Sequence, residues 1–460
     1  MSRKAAVLFL FAAILATALN AGPLALAQPS QPSQLAQSSP AAAVPSLRVG
    51  LAWGQATVRA GAPGPFSIVD AATGGAVLDV AAACEVEIGC QGGSLVVTLP
   101  AGWGAPARVD GAVRLEAPGG RVTHCGAAYR GALEVSAGGD GLLAAVNVVP
   151  LEDYLCGVVP DEVPPDWPAE TLKAQAVAAR TYALYTRGAG RHAAQGFDLC
   201  ATVDCQVYGG IAAEDARATA AVDATRGEVL RYGSELIQAY FHASSGGHTE
   251  NSENVWGAYQ PYLRGVPDFD QDSPRYNWET TIALADAEAL LRAAGMDVGR
   301  LYDFSAVGAR GVSGRAVTVE LRGANGSLRV KANTARLALG LYSTLYEQEA
   351  RGEAVADAVV LRPPGTAAVV GADGVLSWRD PAGAAVAGAG GAGGVVTRGA
   401  GPYAVGRYLL PAAVTFRGHG RGHGIGMSQW GARALAADHG YTYRQVLEYY
   451  YQGARVEAYL

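Results

Sequence analysis

The residues best suited to chemistry are one carboxylate and two cations on neighbouring segments. Glu162 lies in Val158-Val159-Pro160-Asp161-Glu162-Val163-Pro164-Pro165-Asp166-Trp167-Pro168. Val and Pro on both sides predict a stiff turn and a partly desolvated carboxyl group. Desolvation raises a carboxyl pKa and makes a usable general acid near neutrality. A solvated turn residue is the plainer reading of the same segment. Downstream, Lys173, Val177, Arg180 and Leu184 recur at i, i+4, i+7 and i+11, one stripe of an Ala-rich helix. Cations on such a stripe are costly to bury without anions. They either meet Asp or Glu of this chain or face a ligand beside Glu162.

Two glycine-rich segments add candidates. In His242-Ala243-Ser244-Ser245-Gly246-Gly247-His248 the glycines let backbone approach a ligand closely, so Ser245, Gly246 and His248 are candidate cleft-wall residues. A plain strand-to-loop turn is the alternative. There is no Gly-x-Ser-x-Gly elbow, which argues against a serine hydrolase. Gly418-His419-Gly420-Arg421-Gly422-His423-Gly424 lacks the Gly-Lys-Ser/Thr ending of a phosphate loop. His423, Ser428 and Gln429 are placed to hydrogen-bond sugar hydroxyls, or the loop is structural.

The elements that must position these residues are of mixed type. Residues 47–144 alternate short apolar runs with Gly, Pro and Asp, as in an all-β unit. Val146 to Leu151 reads as a strand. A helix is predicted from Trp167 to Arg187, with Asp166 as N-cap and Gly188 as stop. A second runs near Ala212 to Arg226, then a hairpin turns at Gly233-Ser234. Ala283 to Ala294 reads as a helix, and Arg315 to Leu321 and Ser327 to Ala332 as strands. Glu353 to Arg407 reads as an irregular, strand-poor insertion rich in Gly and Ala. Ser428 to Asp438 and Thr442 to Gln452 close the chain as short helices. The expected class is α+β, a domain of mixed sheets and short helices preceded by a small all-β unit.

The N-terminus predicts export. Arg3 and Lys4 precede an apolar run from Ala5 to Leu19, and Ala25-Leu26-Ala27 matches a signal-peptidase site. A retained membrane anchor is the alternative. Gln28 to Ser46 reads as a flexible tether. The cut takes the formal charge from −6 to −8, with 33 basic residues against 41 acidic. An acidic chain with no basic run argues against nucleic-acid binding. Six cysteines in an oxidising compartment suggest disulfides, with Cys84/Cys90 and Cys200/Cys205 as first guesses.

Several of these blocks together resemble the SpoIID/LytB family of bacterial cell-wall proteins. They are Tyr154-Leu155-Cys156-Gly157-Val158-Val159-Pro160-Asp161-Glu162, the run from Leu172 to Ala183, Cys205 to Gly210, Thr225 to Leu230, Ala239 to Thr249, Pro261-Tyr262-Leu263, and Gly418 to Ala432. The resemblance covers about Val146 to Ala350 and Phe416 to Val456. It implies catalytic parts at 145–350 and 414–460; the signal at 1–27, the linker at 28–46, the β unit at 47–144 and the Gly/Ala-rich insertion at 351–413 are read from the residues and lie outside the resemblance. It also implies a lytic transglycosylase that cleaves MurNAc–GlcNAc bonds of peptide-stripped glycan strands and leaves 1,6-anhydro ends. Glu162 matches the catalytic acid, and Lys173 and Arg180 match positions implicated in activity, suited to lactyl carboxylates. The LytB branch implies the alternative, a non-catalytic enhancer of a cell-wall amidase. No cofactor is required for the chemistry. Some family members bind structural zinc at the positions of Cys200 and Cys205, so a disulfide, a zinc site with His192 and Asp204 or a nearby His, and free thiols are the readings there, the disulfide first. The implied location is the cell envelope, in the periplasm or wall.

Overall fold

The computed structural model describes residues 45–351, 354–359, 367–370, 376–379, 405–410 and 412–459. The expected signal at 1–27 and nearly all of the expected linker at 28–46 lie outside them; Ser46 already opens the first strand. The fold is α+β, with helices and several separate sheets. Among the described residues no helix is long and apolar enough to cross a membrane. Two compact units are present. One comprises residues 45–241, Pro261–Arg264 and 429–459; the other comprises His242–Gln260 and Gly265–Ser428.

The first unit begins with strands only. Alternating Val58/Ala60/Ala62, Val86/Ile88, Leu95/Val97, Val113/Leu115 and Leu133/Val135 are buried in one core. That period-2 burial is what a strand with one inward face requires. With Leu199–Cys200 added at one edge, these strands form a seven-stranded and a six-stranded sheet. Leu143–Pro150 pairs antiparallel with Ser46–Gln55 and runs directly into the first helix. Cys84 and Cys90 sit on one extended strand, Cys84–Gln91. Six residues of strand separate them by roughly 20 Å, beyond disulfide reach. That expected bridge is therefore corrected, and all six cysteines are free thiols.

Five helices of this unit matter for the site: α1 (Leu151–Glu162), α2 (Ala169–Ala189), α3 (Ala216–Ala224), α4 (Gln429–Ala437) and α5 (Tyr443–Tyr450). Helix α1 differs from the expected turn. Gly157, Val158, Val159 and Pro160 are poor helix formers. Burial overrides them, because Tyr154, Leu155, Val158 and Val159 all enter one core with α2. Gly157 is required by contact: a Cβ there would lie 2.8 Å from the Tyr208 ring. Glu162 is thus the last residue of a helix. Helix α2 starts at Ala169 with no side-chain cap and stops at Gly190, in the left-handed region at φ 63°; the expected helix ran from Trp167 to Arg187, capped by Asp166 and stopped by Gly188.

The three helices α1, α2 and α3 are joined by a buried ion pair. Arg180 on α2 is 0 % exposed. Its Nε and Nη2 donate to Glu152 Oε1 and Oε2 on α1 at 2.9 and 2.7 Å. Nη2 also donates to the Val222 carbonyl of α3, and Nη1 to Thr225 Oγ1 and the Glu228 carbonyl. All five guanidinium protons have acceptors.

The second unit packs two three-stranded sheets with helices Leu284–Ala293 and Ala332–Leu339 around one core. Phe416 sits edge-on to Phe304 and Tyr346, with centroids 5.6 and 5.2 Å away. The segment expected to be strand-poor holds four strands: Ala354–Val359 pairs with Val405–Leu410, and Ala367–Val370 with Leu376–Arg379. Its Gly and Ala content masks the Val positions that favour strand.

Removing the Arg180 guanidinium strands a buried carboxylate. Arg180→Met should destabilise the chain by about 3–5 kcal/mol in urea unfolding, and adding Glu152→Met should restore most of that. A single variant as stable as wild type would contradict the clamp.

Candidate functional site

Glu162 ends α1 with its side chain partly exposed. Its Oε1 accepts the Val207 N–H and its Oε2 accepts Gln429 Nε2, both at 3.3 Å. Among the described residues no cation is paired with it. Burial drives its carboxyl up to about 7, the two hydrogen bonds oppose that, and the negative Asp161 beside it adds to the rise. Desolvation wins because two long neutral hydrogen bonds replace little of the lost hydration. Asp161 is turned to the Gly209 N–H instead. The group is therefore a carboxylic acid shared between both protonation states at neutral pH, on a side chain that a ligand can reach.

The partners of Glu162 are fixed in turn. Tyr154 donates to Gln206 Oε1 at 3.2 Å, and Gln206 Nε2 to the Ala179 carbonyl, so α1 and α2 hold the loop that carries Val207. Tyr208 donates to buried Asn147 Oδ1 at 3.0 Å. Gln429 opens α4, which meets α2 where Thr171 Oγ1 donates to the Ala432 carbonyl. Trp167 and Trp430 pack edge to face beside it, centroids 4.8 Å apart. Gln429 Nε2 also reaches Gln175 Oε1 at 3.4 Å. Sequence reasoning passed over Gln175 and the Val207 amide. A lone amide in an Ala and Val helix was the available signal for Gln175; a backbone N–H leaves none.

Arg180 is a correction. Of the two readings, a ligand or an anion of this chain, the structure gives the second: it is buried and its donors are taken by Glu152, Thr225 Oγ1 and two backbone carbonyls, so it positions helices. Lys173 is partly exposed; its Nζ lies 2.7 Å from Glu170 and 5.8 Å from the Tyr443 ring centroid.

In the second unit the two glycine-rich loops are laced together. Ser244 N–H donates to the Arg421 carbonyl and Arg421 N–H to the Ser244 carbonyl. A Cβ on Gly420 (φ 75°) would lie 2.7 Å from the backbone of residues 244–246, and one on Gly422 (φ 116°) 2.7 Å from His242 Cβ. The glycines serve this close packing. Ser245 is a second correction: it is buried, its Oγ donates to Asp268 Oδ2 at 2.5 Å, and its carbonyl accepts from Arg315. Gly246 (φ 79°) gives its N–H to Asp270 at 2.7 Å. Ser428 is buried rather than placed on a surface. His248 is partly exposed and its Nδ1 donates to the Thr249 carbonyl. His423 Nδ1 accepts the Ile425 N–H at 3.0 Å, which leaves the proton on Nε2; its ring lies 5.0 Å from Trp256 and 5.2 Å from His242. Both rings are thus held in fixed tautomers.

His192, Cys200, Asp204 and Cys205 offer ligand atoms that all lie within 4.8 Å of one another. His192 Nε2 is 3.2 Å from Cys205 Sγ, and Asp204 Oδ2 is 3.9 Å from both His192 Nε2 and Cys200 Sγ. The edges of a tetrahedral zinc site are about 3.3–3.8 Å for ligands at 2.0–2.3 Å. The four donors fit that cation with small adjustments. Hydrogen bonds from Cys205 and Thr202 lower the Cys200 thiol, so one proton leaves the pair easily. Burial and Arg191 lower His192, keeping the imidazole neutral. Arg191 holds the other Asp204 oxygen at 2.7 Å.

The raised carboxyl has a stability signature. Folded Glu162 titrates near 7 against 4.5 for the free group. Between those values the folded chain holds a proton that the unfolded chain has released, so stability falls as pH rises through this window. Glu162→Gln should therefore be more stable than wild type by about 3 kcal/mol at pH 8.5 and equal to it at pH 4. Urea unfolding at both pH values checks this; a variant no more stable at pH 8.5 would contradict it.

Comparison with known proteins follows the same residues. Residues 140–232, which span α1 to α3, match the family model described as Stage II sporulation protein (SpoIID). The chain is 47 % identical over 126 residues to an uncharacterized protein of Brachyspira hyodysenteriae, 27 % of this chain and 33 % of that one. It is 29 % identical over 328 residues to stage II sporulation protein D of Bacillus subtilis, covering 68 % and 76 %. It is 39 % identical over 129 residues to the amidase enhancer of B. subtilis, covering 28 % and 17 %. The match thus spans a third of the Brachyspira protein and three quarters of the B. subtilis sporulation protein. Residues 140–232, which span α1 to α3, thus match the SpoIID family, and the chain is similar to a protein of each branch, a stage II sporulation protein D and an amidase enhancer.

Proposed function

We propose that this chain is an exported cell-envelope enzyme, a lytic transglycosylase that cleaves MurNAc–GlcNAc bonds in peptide-stripped glycan strands. The observation that carries this reading is Glu162, a part-exposed carboxyl titrating near 7 with neutral hydrogen-bond partners. In the proposed reaction the Glu162 O–H protonates the glycosidic oxygen as its bond to C1 breaks. The 6-hydroxyl oxygen of the same sugar then bonds to C1, and its proton passes to the Glu162 carboxylate. The acid is regenerated and no water is consumed. A two-carboxylate hydrolysis would need a second acid across the bond; Asp161 is on the same helix and bound to backbone. Lys173 could release Glu170 to meet a lactyl carboxylate. Gln429 holds Glu162; His248 and His423, in the other unit, are candidates for sugar hydroxyls in their own right. The apolar run from Ala5 to Leu19 and the small-residue pattern Ala25-Leu26-Ala27 support export.

A structural zinc on His192, Cys200, Asp204 and Cys205 fits this reading. It would tie the loop carrying Val207, and so support Glu162, without entering the reaction. The purified chain should carry about one zinc per molecule by elemental analysis, and Cys200→Ser with Cys205→Ser should abolish it. A metal-free wild type with a Cys200–Cys205 bridge by thiol counting would contradict the site.

The amidase-enhancer relative favours a second reading, a non-catalytic partner of a cell-wall amidase. Glycan strands pretreated with an amidase separate the two. Wild type should yield 1,6-anhydro-MurNAc ends by mass spectrometry, and Glu162→Gln roughly 10²–10⁴-fold fewer. Equal product from both would remove Glu162 as the acid, and none from either would favour the enhancer.

A further inference from the structure

Gln175 is fully buried on α2. Its Oε1 accepts from Gln429 Nε2, and the same Nε2 reaches Glu162 Oε2. Gln175 Nε2 is buried with no partner. A buried N–H without an acceptor is rarer and costlier than an under-used carbonyl. This arrangement suits an ionised Glu162, which only accepts. It does not suit a protonated one, because Gln429 then presents a donor to an O–H that needs an acceptor.

The two ends of an amide have nearly the same shape, and the terminal torsion of glutamine is broad and two-fold. Turning both amides by half a turn leaves the packing unchanged. Gln429 Oε1 then accepts the Glu162 O–H. Gln175 Nε2 donates to that same oxygen, which has two lone pairs, and gains the partner it lacked.

We propose that Gln175 and Gln429 form a reversible amide relay that turns over as Glu162 gains and loses its proton, with Gln175 as a positioning residue acting through Gln429. The relay rests on the reading of Glu162 as the acid of this site. The proton is held toward Gln429 until a ligand oxygen takes it, and the amides then turn back to meet the carboxylate. Other groups around Glu162 do not change polarity with that proton. Asp161 and the Tyr154 phenol lie on its own helix, and the loop at 205–208 contributes the Val207 N–H. From α2 and α4, Lys173 is held by Glu170, and Arg433 lies over the Trp430 ring.

The test is an NMR titration of the full chain from pH 4 to 9, with labelled glutamate carboxyl carbons and glutamine side-chain amides. Glu162→Gln assigns the carboxyl signal. In wild type the Gln429 and Gln175 amide signals should move together at the Glu162 midpoint. Gln175→Met should lower that midpoint by about one pH unit, a tenfold weaker proton affinity. A midpoint unchanged or raised would overturn the relay. Amide signals that stay still across the wild-type midpoint would also overturn it, with no variant needed. The titration uses no glycan, so a relay that behaves as stated in a chain that makes no anhydro ends would stand while the lytic reading fell.

Discussion

The buried pair between Arg180 and Glu152 is the constraint on which the first unit depends. It joins the start of α1 to the middle of α2, and its remaining protons reach the end of α3 and the strand that follows. Taking both charges out of water is unfavourable unless every proton finds an acceptor. Here each one does. The pair therefore specifies one packing of three small-residue helices, where Ala-on-Ala contacts would tolerate several. Glu162 sits at the far end of α1 and Gln175 lies on α2, so the clamp also sets how these two meet Gln429.

Around Glu162 the competition is between desolvation and hydrogen bonding. Two neutral donors at 3.3 Å are too weak to hold the carboxyl in its usual range, and Asp161 pushes the same way as burial. The site needs the Val207 N–H in place, and four anchors supply that. Tyr154 holds Gln206, Asn147 holds Tyr208, Gly157 lets Tyr208 approach α1, and His192 Nε2 meets Cys205 Sγ at 3.2 Å where the loop begins. In the second unit, order comes from backbone contact. Glycines at 420 and 422 admit neighbouring loops where a side chain would collide.

Much of this was legible in the residues themselves. The α+β class, the helix carrying Lys173 and Arg180, and Glu162 as a desolvated carboxyl all follow from spacing and neighbours. Helix α1 was hidden because Gly157, Val159 and Pro160 argue against helix locally, and only tertiary burial favours it. The stripe carrying Arg180 showed that a cation would need an anion. It did not show that Glu152, 28 residues upstream, would supply it instead of a ligand. Ser245 looked like a ligand contact because Asp268, its acceptor, lies in a distant part of the sequence.

The central claim is that Glu162 works as a neutral acid, and the rate of anhydro-end formation against pH tests it most directly. A group that must be protonated predicts a wild-type rate that is highest below about 7 and falls tenfold per pH unit above it. A rate that stays flat to pH 9, or rises through 7, would contradict the account.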